Sequence, residues 1–185
     1  MKRTYLVVCV LLASSAIAQS PGSVLGNLSA PRDTPIPFTE LRMNTLLEEP
    51  LKLSGQLIYA SDGSLSKLIL EPVRETVTIS ASMVRIERNG KIREVPMRKV
   101  RELAQLYSGL RALLDGDLAT LKDLFEISDR VDNDNWEVEL VPLSKDFKKF
   151  ASSLRVSGTG SQLNEIRITN SAQEWQLMQL AHPGP

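Results

Sequence analysis

RKVRELAQLYSGLRALLDGDLATLKDLF, residues 98–125, carries its apolar side chains at steps of three and four. Val100, Leu103, Ala104, Tyr107, Leu110 and Leu114 share one stripe while Arg98, Arg101, Glu102 and Arg111 take other angles, the pattern of an amphipathic helix. Asp115-Gly116-Asp117 interrupts it: the glycine suits the left-handed position after a helix, and Asp117 can cap a second helix bearing Leu118, Leu121 and Phe125. The stretch therefore predicts a helical hairpin. On both sides the period changes to two, from residue 51 to about 97 and again from 135 to 180, so that one row of side chains points to each face of a strand. Two strand blocks around a helical block predict an α+β domain with one large antiparallel sheet under a helical cover.

The first strand block begins near Phe38. Leu51, Leu53, Leu57 and Tyr59 alternate with Lys52, Ser54 and Gln56, as expected of a strand wetted on one side, and Gly55 in the apolar row marks a bend or a close approach. Asp62-Gly63 supplies a turn and Leu68 and Leu70 continue the apolar row; after Pro72 come Val73, Val77 and Ile79. Asn89-Gly90 is the strongest hairpin signal in the chain, flanked by Val84, Ile86 and Ile92. In the second block a strand over 126–131, a polar turn and Trp136, Val138 and Leu140 lead to Pro142. A short helical segment over 144–150 then precedes strands at 154–156, 166–168 and 175–180, with Gly158 and Gly160 read as an intervening turn.

The ends carry different information. Residues 1–18 read as an export signal: Lys2 and Arg3 precede an apolar run too short to span a bilayer, and Ala16-Ile17-Ala18 forms a small-x-small cleavage site, with cleavage expected after Ala18. The only cysteine, Cys9, lies in that run, and a lipoprotein reading is disfavoured because Val8, before it, is not small. Residues 19–37, with four prolines, are expected to be a flexible leader, 38–180 the domain, and 181–185 a frayed tail. Loss of Lys2 and Arg3 leaves 20 basic residues against 22 acidic ones without long runs of one sign, so nucleic acid is not an expected partner, nor is the product an expected integral membrane protein.

The inventory argues against catalysis. The one histidine, His182, falls in the expected tail, where a Ser-His or Cys-His pair would have no fixed base. Glu48, Glu49, Glu137 and Glu139 read as solvated carboxylates, and the cluster of Asp132, Asp134 and Asn135 lacks the glycine of a calcium loop, where Glu137 stands instead. No catalytic residue, metal site or cofactor is expected.

Order and spacing carry a resemblance. Phe38-Thr39-Glu40, the segment from Leu53 to Tyr59 with Gly55, Leu68 to Pro72, the Asn89-Gly90 hairpin, the helical hairpin, Trp136 to Pro142 ending in Leu-x-Pro, and three final strands together resemble the LolA family of periplasmic lipoprotein carriers and its divergent relatives. The resemblance implies a single curved antiparallel sheet forming an incomplete, half-open β-barrel closed by a helical lid, in a protein of the periplasm. It also implies a hydrophobic cavity that binds acyl chains of a lipoprotein or lipid and passes them between membranes, with a membrane-bound donor or acceptor protein as partner. The expected lining is Leu53, Leu57, Tyr59, Leu68, Leu70, Val77, Ile79, Val84, Ile86, Val138 and Leu140 from the sheet, with Leu103, Leu106, Tyr107 and Leu110 from the lid. The same residues would make an ordinary core if lid and sheet met without a gap. Where the family's carriers have an arginine-proline pair after the second strand, this chain has Ala60, Ser61, Asp62 and Gly63, which leaves the cargo open. A non-transport envelope module that binds a protein or senses lipids, and an accessory carrier in the biosynthesis of an acylated pigment or glycolipid, are the alternatives.

Overall fold

Eleven strands form one antiparallel sheet in the computed structural model, which describes residues 25–28, 30–171 and 174–182. The first six are β1 (Ile36–Met43), β2 (Leu51–Tyr59), β3 (Leu65–Glu71), β4 (Glu75–Ile79), β5 (Met83–Arg88) and β6 (Lys91–Pro96). Two helices follow, α1 (Arg101–Asp115) and α2 (Leu118–Leu124), then β7 (Phe125–Asp132), β8 (Asn135–Pro142), α3 (Lys145–Phe150), β9 (Ser153–Thr159), β10 (Gln162–Ser171) and β11 (Glu174–Leu180). The spatial order is β6-β5-β4-β3-β2-β1-β11-β10-β9-β8-β7. Strands β6 and β7 are thus opposite edges, and the sheet is an open, curved barrel under a helical lid. Both edges carry charge, Lys91, Arg93 and Glu94 on one and Glu126, Asp129 and Arg130 on the other, which discourages edge-to-edge pairing. Among the described residues no helix is long and apolar enough to cross a membrane.

The order of strands explains the lid. A chain leaving one edge and entering the other must cross the sheet, and the segment between β6 and β7 does so as the helical hairpin. Gly116 ends α1 in the left-handed region (φ 66°), and Asp117 caps α2 by accepting from the Thr120 amide at 3.1 Å. Asn89 and Gly90, with φ of 53° and 70°, make the expected tight turn between β5 and β6. Helix α1 begins at Arg101, because Met97–Lys99 forms a separate 3-10 turn.

Two packed regions flank the crossing. Under α1, α2 and α3, the fully buried Leu113, Leu121, Phe125, Val138, Leu140, Phe147, Leu154 and Val156 make a solid core with β7–β10. Phe125 and Phe147 meet edge to face, 5.7 Å between centroids. On the other flank Tyr59, Leu65, Val84, Met97 and Tyr107 pack with Val77, Ile79 and Ile86. Gly109 lets α1 lie directly on Phe125, since a Cβ there would come within 2.6 Å of the ring.

The structure departs from the expected picture in four places. Residues 25–28 and 30–37 are not a loose leader: Leu25 and Leu28 are buried in the main core, the Asp33 amide donates to Tyr59 O at 2.8 Å, and β1 already starts at Ile36. Prolines exclude a long helix here but leave Leu25 and Leu28 free to fill the gap beside α1 and α2. Gly158 lies inside β9 against the Trp136 ring, so the turn belongs to Gly160. Leu68 and Leu70 face away from the lid, because β3 turns Leu65, Lys67 and Ile69 inward. The sheet ends differently as well: the Ala181 amide donates to Pro37 O at 2.8 Å, and the His182 ring lies 2.6 Å from Leu163 O. The export signal over 1–18, the rest of the leader over 19–24 and the last three tail residues lie outside the described residues.

Two substitutions test this packing. Gly109→Ala removes an unfavourable helix glycine, a gain of about 1 kcal/mol, yet the contact with Phe125 should dominate and lower unfolding free energy by about 1–3 kcal/mol in urea titration. A higher midpoint would contradict the close approach. Leu25→Ala should cost about 2–5 kcal/mol, as for a core leucine, whereas a loose leader would leave the midpoint unchanged.

Candidate functional site

Between the two packed flanks, α1 does not touch the centre of the sheet. A cavity of about 1010 Å³ lies there, bounded by Leu103, Leu106, Leu110, Leu113 and Leu114 of α1 and by residues of β1–β4, β10 and β11. Protein interiors are close-packed, with few voids larger than a water molecule, so a hollow at the upper end of the roughly 300–1,000 Å³ seen for ligand pockets is not a packing accident. Its walls are mainly aliphatic: Ile36, Leu57, Val77, Ile79, Leu163, Ile166, Ile168, Met178 and Leu180. Lining residues run the length of β1, from Ile36 to Met43, a distance of about 23 Å at the rise of a strand. Exposed residues stand at both ends, Thr34, Pro35 and Gln162 at one and Lys149, Phe150 and Asn170 at the other.

The residues expected to line such a hollow divide into groups. Leu57, Tyr59, Val77, Ile79, Leu103, Leu106 and Leu110 surround it. Val138 and Leu140 do not; they are fully buried in the main core, where α2 and α3 close directly onto β7–β9. Val84, Ile86 and Tyr107 pack between the sheet's other flank and α1, and Leu53 packs in the floor with Phe38 and Ile69. Leu68 and Leu70 lie on the opposite face. Ile166, Ile168, Met178 and Leu180 complete the wall; their alternation was visible in the sequence, but not that β11 pairs with β1 and so brings the last strands to the middle of the sheet.

Charge was not anticipated on this wall. Glu40, on β1 between Phe38 and Arg42, is 1% exposed. One carboxylate oxygen accepts from Arg42 Nη2 at 2.8 Å and from Nε at 3.2 Å, and the other accepts from Lys67 Nζ, which reaches over the Phe38 ring from β3. Burial lowers the Lys67 pKa, and the adjacent Glu40 carboxylate opposes that shift. All three residues line the hollow, as does Glu75, whose carboxylate is 3.7 Å from Arg88. A buried carboxylate needs such partners, because an unpaired one costs several kcal/mol.

At the other end of the cavity α1 is fastened by polar contacts. Tyr107 donates its hydroxyl to Gly63 O at 2.8 Å, and Tyr59 donates to Asp115 Oδ1 at 2.5 Å. Arg32, stacked 4.4 Å from the Tyr59 ring centroid, reaches the same oxygen at 2.6 Å. Burial, then the Asp115 hydrogen bond, raises the Tyr59 pKa. Ala60 and Ser61 therefore sit beside a lid fastening supplied by Arg32 and Asp115. Among the described residues no group of three or more His, Cys, Asp or Glu side chains is placed to hold a metal ion.

This geometry can accommodate a long hydrocarbon. The family described as outer membrane lipoprotein carrier protein LolA-like matches residues 13–182. A solved LolA superfamily protein from Nitrosomonas europaea is similar at 8% identity over 87% of this chain and 90% of that one, with a TM-score of 0.44. LprF from Mycobacterium bovis is similar at 11% identity over 87% and 88%, with a TM-score of 0.37. A comparison with curated proteins found no match. With most of its length matched by that family, the chain belongs to the LolA-like family.

Proposed function

We propose that the protein is a carrier of the periplasm that shelters the acyl chains of a lipid or lipoprotein and passes them between membranes. The observation that supports this reading is the hollow of about 1010 Å³, aliphatic on both the lid and sheet sides. Each methylene moved from water into such a place contributes about 0.8 kcal/mol, so a single acyl chain supplies ample affinity. Release is the harder step. A lid whose flank near Tyr59 is held by a smaller apolar cluster and a few hydrogen bonds can loosen there while the flank beneath α2 and α3 stays in the core, so that cargo leaves without dissolving in water first. The tyrosine contacts to Gly63 and Asp115 are that fastening.

Native mass spectrometry of protein purified without detergent, followed by organic extraction, should show bound acyl species. Protein that carries none and takes up no fluorescent fatty acid contradicts the reading. Leu57→Asp and Leu110→Asp should weaken fatty-acid uptake at least tenfold while the far-ultraviolet spectrum is retained; equal uptake by wild type and both variants would place the ligand elsewhere. Asp115→Ala removes the partner of Tyr59 and Arg32 and should speed release of a fluorescent fatty acid by about tenfold, the equivalent of one hydrogen bond to a charged group.

A further inference from the structure

The charged trio on the cavity floor is unbalanced. Glu40 offers one negative charge, and both of its oxygens are occupied, one by Arg42 and the other by Lys67. One cation would have satisfied it; two leave the trio itself with one more positive charge than negative. Of the other charged side chains that line the hollow, Glu75 lies near Arg88 and also acts on Lys67 by its charge, Lys149 pairs with Asp146 at the rim, and Glu174 is hydrogen-bonded to the neutral Asn170 and Thr45, so what sets the trio apart is its donors and not a net charge of the whole wall. Donors are also left over. Arg42 uses two of its five N–H groups on Glu40 and Lys67 one of three, and among the described residues neither has another acceptor. Arg42 is about one-third exposed, with its guanidinium held in place by the carboxylate beneath it. A fixed guanidinium backed by a second cation in low-dielectric surroundings is suited to a carboxylate or phosphate.

We propose that the hollow accepts an anionic amphiphile, whose carboxylate or phosphate headgroup sits on Arg42 and Lys67 while its hydrocarbon tail lies between α1 and the sheet. The inference rests on the acyl-binding reading above and names the class of lipid. An anion placed there gains charge-assisted hydrogen bonds from the N–H groups of Arg42 and Lys67 that Glu40 does not use. Glu40 acts as a positioning residue that aims both cations.

The test compares lipids of equal tail and different head. Lipid-stripped protein is loaded with the neutral probe diphenylhexatriene, which is displaced with palmitate, with hexadecanol, with a single-chain lysophosphatidic acid and with inorganic phosphate. Palmitate and lysophosphatidic acid should displace at concentrations about tenfold below hexadecanol, the value of one charge-assisted hydrogen bond. In Arg42→Gln and in Lys67→Met that ratio should fall toward one, and Arg42→Lys should restore part of it. A ratio of one in the wild-type protein, which requires no variant to fold, overturns the proposal, as does a ratio that persists in both variants. Binding of inorganic phosphate as tight as that of the lipids would assign the site to a free anion and overturn it too. If nothing with a tail binds, the acyl-binding reading itself fails; if hexadecanol binds as well as palmitate, only the headgroup inference does.

Discussion

The connection between β6 and β7 sets the architecture. These strands are the two edges of one curved sheet, so whatever joins them must pass over the concave side, and here it passes as α1 and α2. An amphipathic helix drawn across a curved surface touches it where the surface rises and bridges it where the surface falls away. The solid packing of Leu113, Leu121 and Phe125 with β7–β9, and of Tyr107 with Val84 and Leu65, marks the places of contact. The hollow is the span between them. Leu106 and Leu110 line it from the helix, and Ile166 and Ile168 from the sheet.

Energetically the lid needs both ends. The flank beneath α2 and α3 is held by apolar burial, at about 25 cal/mol for each Å² removed from water, and by the aromatic contact of Phe125 with Phe147. The flank near Tyr59 relies more on directed bonds, which contribute about 0.5–1.5 kcal/mol each and are made and lost one at a time. One end is therefore an anchor and the other a clasp. Arg32 adds to the clasp from the segment before β1, so the stretch ahead of the first strand bears on how firmly the lid is held.

Much of this was legible in the chain because it is local. Leucine spacing in α1, the aspartate cap at Asp117, the Asn89-Gly90 turn and the alternation around Trp136 each depend on residues within one or two turns of one another. What was missed depends on distant partners. Strand β3 has apolar residues on both faces, and the partner that accommodates an inward Lys67 is Glu40, 27 positions away. Leu25 and Leu28 read as part of a proline-rich leader because nothing nearby shows the core groove they fill. The split of the proposed lining between hollow and packed core is of the same kind: Val138 and Leu57 have the same chemistry, and only the curvature of the sheet beneath α1 separates them.

The pairing of β1 with β11 has a consequence for assembly. It joins the two ends of the domain in the middle of the sheet, with Phe38 opposite Leu180, so the seam between the halves closes only when the last strand has arrived. Closing so long a loop carries an entropic cost that local turns do not, and sheets made this way form slowly. Each meander can fold on its own schedule, but the chamber they enclose is completed only by β11, the last strand of the sheet in chain order. An unfinished chain would expose both greasy half-walls to whatever surrounds it.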